Sequence, residues 1–240
     1  MIDIHVHTGH FNDGLYFSPE AVAEDMKSLN VERYYFSSTS TGNISFRQVM
    51  REIDELVYLS EGRAFPFLWV SPGMLRHSPT LKTYFYREFS GIKIHGLQGW
   101  RPDGKELHRV VNIARDKNLP VLLHTGEHDI CRAGVYKNIC CEFPDVKIIL
   151  AHGRPIDECI DVMKECPNAY TDTAFMPVED IVKLNDSGLI ERVLWGSDFP
   201  VMTYFYDMPA KDYYKQKVQE VRAALGDKDF MRITSGNLSC

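Results

Sequence analysis

Short apolar runs rich in β-branched and aromatic residues alternate along the chain with longer stretches whose apolar positions recur every three or four residues. The short runs are IDIHV, VERYYFSS, AFPFLWVSP, GIKIHG, LPVLLHTG, VKIILAHG, AYTDTAF and RVLWGSDFP. Runs of this length and composition, bounded by turn residues, read as strands. Between the first two, SPEAVAEDMKSLN offers Ser18 as a helix N-cap and Pro19 at the first helical position, with Val22, Met26 and Leu29 on one stripe. SFRQVMREIDELVYLSEG carries a capping box in Ser45 and Gln48, a stripe through Phe46, Val49, Ile53 and Leu56, and a stop before Gly62. KELHRVVNIARDKN, IDECIDVMKECP and KDYYKQKVQEVRAALG repeat the theme.

Strand followed by helix predicts parallel pairing, because each crossover returns the chain to the same edge of the sheet. Eight such units in 240 residues predict one domain, residues 1–240, folded as a closed (β/α)8 TIM barrel. An open doubly wound sheet has fewer strands and leaves some runs unplaced. The irregular pieces are GHFNDGLYF, GLQGWRPDG and PVMTYFYDMP.

Polar residues break this pattern at particular places. In MIDIHVHTGH, His5 and His7 alternate with Ile4 and Val6, so strict strand geometry puts both imidazoles on one face and the two aliphatics on the other. Alone, such a pair is equally a solvated edge or half of a metal site. Further along, Lys93 and His95, His124, His152, Asp172 and Asp198 each follow directly on an apolar run. A core strand has no packing reason to finish on an imidazole, and in a barrel the carboxyl ends of the strands carry the chemistry.

Composition narrows the partners. Hydrophobic residues make up 44%, charged residues 25%, and the formal net charge is −6. That balance suits a folded soluble protein and argues against nucleic acid as a partner. No apolar run approaches the roughly 20 residues of a membrane helix. Cys131, Cys140, Cys141, Cys159, Cys166 and Cys240 show no CxxC spacing, and no secretory leader pattern precedes the first strand, so reduced thiols in the cytoplasm are expected.

IDIHVH, GIKIHGLQGW, LPVLLHTG, LAHG and LWGSDFP, in that order, resemble the amidohydrolase superfamily, and within it the amidohydrolase-2 branch of metal-dependent hydrolases and decarboxylases. The resemblance covers nearly the whole chain and implies one divalent ion, most often zinc, held by His5, His7, His124 and Asp198. Three imidazoles and a carboxylate suit zinc, which lowers the pKa of a bound water toward roughly 7. Asp198 then has two jobs, ligand and general base. His152 is expected to face the bound water or polarise the substrate carbonyl, with a second ion as its other use. Asp3 is read as part of the strand.

Lys93 decides the number of ions. Some members of the superfamily carry a carboxylated lysine at this place that bridges two ions. An ammonium beside a dication is repelled, so Lys93 is carboxylated, neutral, turned to a substrate carboxylate, or held off by an anion. With four ligands already named, one ion and a Lys93 amine facing substrate or solvent are expected.

Trp100, Arg101 and Arg154 are the substrate-binding candidates, either arginine being able to clamp a carboxylate. Tyr204, Phe205 and Tyr206 suit the wall of an apolar pocket or an interface. Glu127, His128 and Cys131 read as loop residues, and His10, His77 and His108 as non-catalytic. The expected activity is hydrolysis of a small ester, lactone or amide. The alternatives are decarboxylation of a small carboxylic acid, aromatic acids included, a phosphoesterase of the polymerase-and-histidinol-phosphatase type on a seven-stranded barrel, and a metal-binding protein without turnover. The partner is a small molecule; self-association is left open.

Overall fold

The computed structural model describes residues 1–40, 44–85, 87–126 and 128–237. Nine strands form one sheet in the order β2-β1-β3-β4-β5-β6-β7-β8-β9. They are β1 (Ile2–His10), β2 (Tyr16–Phe17), β3 (Arg33–Ser38), β4 (Ala64–Trp69), β5 (Gly91–Ile94), β6 (Val121–His124), β7 (Ile148–Ala151), β8 (Ala169–Asp172) and β9 (Val193–Leu194). All pairings are parallel except β1 with β2, a two-residue antiparallel hairpin inside GHFNDGLYF that periodicity does not mark.

The segment after β9 closes the sheet on β1. Ile4 N donates to Trp195 O at 2.9 Å, Asp198 N to His5 O at 2.8 Å and His7 N to Phe199 O at 2.7 Å. The eight parallel strands therefore form a TIM barrel, one strand more than the seven-stranded alternative. Helices follow the strands in turn: α1 (Pro19–Ser28), α2 (Phe46–Leu59), α3 (Pro72–His77), α4 (Lys105–Asp116), α5 (Lys137–Glu142), α6 (Ile156–Glu165), α7 (Val178–Asp186) and α8 (Ala210–Met231). Ser18 caps α1 by accepting from Ala21 N at 3.2 Å, and Ser45 with Gln48 forms the capping box of α2.

Two apolar clusters follow from strand alternation. One joins the helices to the outward faces of the strands, and contains Val6, Ile92, Leu123, Leu150 and Val193. The other draws on strands alone and fills the barrel with Ile4, Tyr35, Phe67, Leu122, Ile149, Ala151 and Leu194. Ile4 and Val6 thus lie on opposite sides of the wall, against strict alternation. A register shift between Asp3 and Val6 changes the phase of β1, so Ile4 packs inside and His5 and His7 also reach the interior above it.

Cys141 and Cys166 are joined by a disulfide, so the expectation of six reduced thiols fails for this pair. Cys131, Cys140 and Cys159 are buried and outside this disulfide. Cys240 and Glu127 lie outside the described residues. Among the described residues no helix is long and apolar enough to cross a membrane.

Candidate active site

At the carboxyl ends of the strands lies a cavity of about 400 Å³. His5, His7, Lys93, His95, His124, His152 and Asp198 form its polar part. Phe11, Trp69, Phe175, Phe205 and Tyr206 wall the remainder, with Arg154 among them.

His5, His7 and Asp198 bring one ligand atom each within 4.8 Å of one another, and all three are buried. Their hydrogen-bond partners assign the ring tautomers. His5 Nδ1 donates to Asp172 Oδ2 at 2.8 Å, and His7 Nδ1 to the carbonyl of Ser37 at 3.1 Å. Each neutral ring then presents a bare Nε2. His7 Nε2 is 2.7 Å from Asp198 Oδ1, and His5 Nε2 is 3.4 Å from the same oxygen. Asp198 Oδ1 has no hydrogen-bond donor. Acceptors converging this closely in a buried place call for a cation, and the N/O donor set suits a divalent ion such as zinc.

Burial and neighbouring charge pull these groups in opposite directions. Burial pushes His7 down, against the pull of Asp198. Burial alone raises Asp198, but His5 and His7 hold it well below the usual carboxylate range. Asp172 likewise loses to burial and regains more from His5, ending below its ordinary value. Its second oxygen accepts from the amides of His152 at 2.9 Å and Ala174 at 3.0 Å. The further trio of His5, His152 and Asp172 is therefore held by hydrogen bonds already made.

Backbone geometry aims these groups. His152 (φ 70) and Asp198 (φ 58) are non-glycine residues in the left-handed region, a strain of order 1–3 kcal/mol each that clusters at functional sites. Gly196 permits the His5–Asp172 pair, because a Cβ there would lie 2.9 Å from the Cβ of Asp172 and 3.1 Å from that of His5. Asp3 Oδ1 accepts the amides of His5 at 3.1 Å and Ser197 at 3.2 Å, so it ties together the segments that carry His5 and Asp198. Burial lifts the Asp3 carboxyl to about 7.

Among the described residues, the other side of the cavity has no carboxylate of its own. Lys93 Nζ is 2.8 Å from His5 Nε2, and burial pushes its pKa down to about 8. An ion at His5 and this hydrogen bond are alternative uses of one lone pair. Lys93 is 1% exposed, so its amine meets the His5 ring and the cavity rather than bulk solvent. His95 stacks between Trp69 (5.7 Å between centroids) and His124 (3.9 Å), and burial lowers it to about 4. His124 stands apart from the His5, His7 and Asp198 group, with Nδ1 3.2 Å from His152 Nε2. Burial keeps His124 well below its ordinary range and lowers His152 to about 3.

Of the substrate-binding candidates, only Arg154 lines the cavity, with Nη2 donating to Phe175 O at 2.9 Å and its guanidinium over the Phe175 ring. Trp100 is buried in the outer core, and Arg101 is exposed beside Asp103. Phe205 and Tyr206 wall the cavity, while Tyr204 packs on Phe11 at 5.4 Å. His10 stacks on Tyr16, His108 pairs with Glu142, and His128 is exposed. Asp172 was visible in the sequence as a strand ending, but its bond to His5 joins residues 167 apart. Phe11, Trp69 and Phe175 carry no sequence signal that separates them from core aromatics.

A sequence model of the amidohydrolase family matches residues 2–237. No curated protein matches significantly in sequence. Solved structures share the fold at low identity. An amidohydrolase from Burkholderia multivorans with bound zinc aligns at TM-score 0.70 and 12% identity, over 98% of this chain and 96% of that one. A probable 2-pyrone-4,6-dicarboxylic acid hydrolase from Acinetobacter baumannii, with citric acid bound, aligns at TM-score 0.69 and 12% identity, covering 97% and 95%. The 5-carboxyvanillate decarboxylase of Sphingomonas paucimobilis aligns at 0.59 and 14%, covering 97% and 98%.

Proposed function

The chain belongs to the amidohydrolase family, and on that premise we propose that it is a metal-dependent hydrolase of a small ester, lactone or amide. The observation that carries this reading is the convergence of His5 Nε2, His7 Nε2 and the donorless Asp198 Oδ1. His5, His7 and Asp198 would hold one divalent ion, with His124 as the further imidazole. The zinc in the B. multivorans relative supports zinc as that ion. When bound, a divalent ion supplies Lewis acidity, polarising a carbonyl and making water a stronger acid.

The chain's own residues supply the remainder. Asp198, ionised at the pH of the cell, takes the proton of the attacking water and returns it to the leaving oxygen or nitrogen as the C–O or C–N bond breaks. Arg154 faces the cavity from a wall of aromatic rings and suits a substrate carboxylate through its free N–H groups. Lys93, released from His5 when an ion takes that lone pair, offers its amine to the same anionic substrate.

Aromatic walls and two cations also suit the second reading, decarboxylation of an aromatic carboxylic acid, in line with the S. paucimobilis neighbour. The test is a panel of lactones, esters, amides and aromatic carboxylates offered to the zinc-loaded protein, read for acid release and for carbon dioxide. Acid release that disappears in Asp198→Asn supports hydrolysis. Carbon dioxide without acid release transfers the assignment to the second reading, and turnover of nothing on the panel by protein shown to hold zinc overturns both.

A further inference from the structure

The turn that leads from β8 into α7 is tied down by side chains. Phe175 sits there in the left-handed region at φ 53, a conformation that a bulky residue keeps only when its surroundings impose it. Those surroundings are donors on three successive carbonyls. His152 Nδ1 lies 3.1 Å from Ala174 O, and since a carbonyl only accepts, the ring nitrogen donates. Arg154 Nη2 donates to Phe175 O at 2.9 Å, and Lys217 Nζ donates to Met176 O at 2.6 Å. The amide of Ala174 donates to Asp172 Oδ1 at 3.0 Å and anchors the start of the turn.

The turn carries the middle of the aromatic wall. The Phe175 ring lines the cavity, with its centroid 5.3 Å from that of Phe205 and 6.0 Å from that of Tyr206. The guanidinium carbon of Arg154 lies 5.8 Å from the same centroid. His152 and Arg154 themselves line the cavity, so two of the three donors belong to the site. Lys217 is the third, and it comes from α8 in the outer helix layer, where it is half-buried. One turn earlier on the same face of α8, Tyr213 stacks on Tyr206 at 4.7 Å. Tyr213 and Lys217 thus back two neighbouring parts of the wall from outside the barrel.

We propose that Lys217 is a positioning residue for substrate recognition. Its bond to Met176 O holds the left-handed turn, and with it the Phe175 ring as a platform for a flat apolar part of the substrate and the Phe175 carbonyl that orients Arg154. The part that concerns Arg154 rests on the reading of that arginine as the partner of a substrate carboxylate. A platform held ready before the substrate arrives spares the ordering cost at binding. Without Lys217 Nζ, Met176 O loses this donor, and Phe175 can relax to an unstrained conformation that moves its ring.

The experiment measures binding of benzoate and of its neutral isostere benzamide by titration calorimetry. The wild type, Lys217→Met, Lys217→Arg and Arg154→Gln are compared, each checked for folding by circular dichroism. Lys217→Met is expected to bind both probes about 10-fold or more weakly, since reaching the strained turn then costs binding free energy. Lys217→Arg, which still donates to the carbonyl, is expected to stay within about threefold of the wild type. Arg154→Gln is expected to lose the preference for benzoate over benzamide. Equal affinities in the wild type and a folded Lys217→Met overturn the proposal, as does a loss that Lys217→Arg does not restore, or a wild type that binds neither probe. A crystal structure of Lys217→Met with Phe175 still left-handed and its ring in place overturns it without any ligand. Wild-type affinity for benzoate no higher than for benzamide fails the carboxylate reading of Arg154 instead, and the benzamide arm still decides the role of Lys217.

Discussion

The inside of the barrel has two layers made by the same strands on the same face. The lower layer is apolar: Ile4, Phe67, Leu122, Ile149 and Leu194 meet only other strand residues. The upper layer, often only two residues further along, holds His5, His7, Lys93, His95, His124 and Asp172. Leu122 and His124 share one strand and one face, yet one fills space and the other takes part in a network of directed polar contacts. The difference shows where the fold stores stability and where it spends it. Burying the lower layer stabilises the barrel, whereas burying imidazoles, a lysine and an aspartate above it costs stability, and it leaves His95 Nδ1 and, beside the layer, Asp198 Oδ1 without a hydrogen-bond partner.

Substitutions in the two layers are therefore expected to separate function from stability. Asp198→Asn has the largest expected effect on chemistry: turnover falls by at least about 100-fold while the protein stays folded. Steady-state rates on any true substrate, beside a circular dichroism melt, check this, and near-normal turnover would contradict it. Leu122→Ala reverses the pattern, with about 2–5 kcal/mol lost in urea unfolding and zinc affinity unchanged in the folded fraction. A large drop in zinc affinity there would show that the layers are not separable.

Gly196→Ala probes the join between them. The added methyl group presses on Asp172 and His5, so zinc affinity is expected to fall by about 10-fold or more through misplacement of the His5 ring. Chelator competition reads it, and wild-type affinity would mean that the pair moves freely.

The smallest effect is on pH. His95, lowered to about 4, and His152, lowered to about 3, are neutral when folded but titrate near 6.5 when unfolded. Between those values the unfolded chain binds more protons, so stability is full above about pH 6.5 and declines as pH falls toward 4. Urea midpoints of the metal-free protein are expected to follow this slope. His95→Phe flattens it by one proton, while Leu122→Ala shifts it in parallel. An equal slope in His95→Phe would remove His95 from the account.

The sequence displayed this layering more clearly than it displayed individual partners. Apolar runs ending in His124, His152 and Asp198 marked both the strand ends and the polar side chains that line the cavity, because alternation and strand length are local properties. Pairings between distant residues are not local. The bond of His5 to Asp172, the contact of His124 with His152 and the disulfide of Cys141 with Cys166 depend on which strands and helices become neighbours. Trp100 and Arg101 follow β5 closely, but the chain turns outward after it and carries them away from the cavity. The register shift in β1 was hidden because His5 and His7 end on one face whether or not Ile4 and Val6 share the other.

The central claim is that His5, His7 and Asp198 converge on one divalent ion, and zinc titration against a chelator tests it most directly. The wild type and a His5→Ala/His7→Ala double variant, both purified metal-free, are compared. The account predicts one tight equivalent in the wild type and at least about 100-fold weaker binding in the double variant, whose rings no longer supply two of the donors. No tight equivalent in the wild type, or equal affinity in the two proteins, would contradict it; two equivalents bridged by a carbamate on Lys93 would contradict the single-ion form.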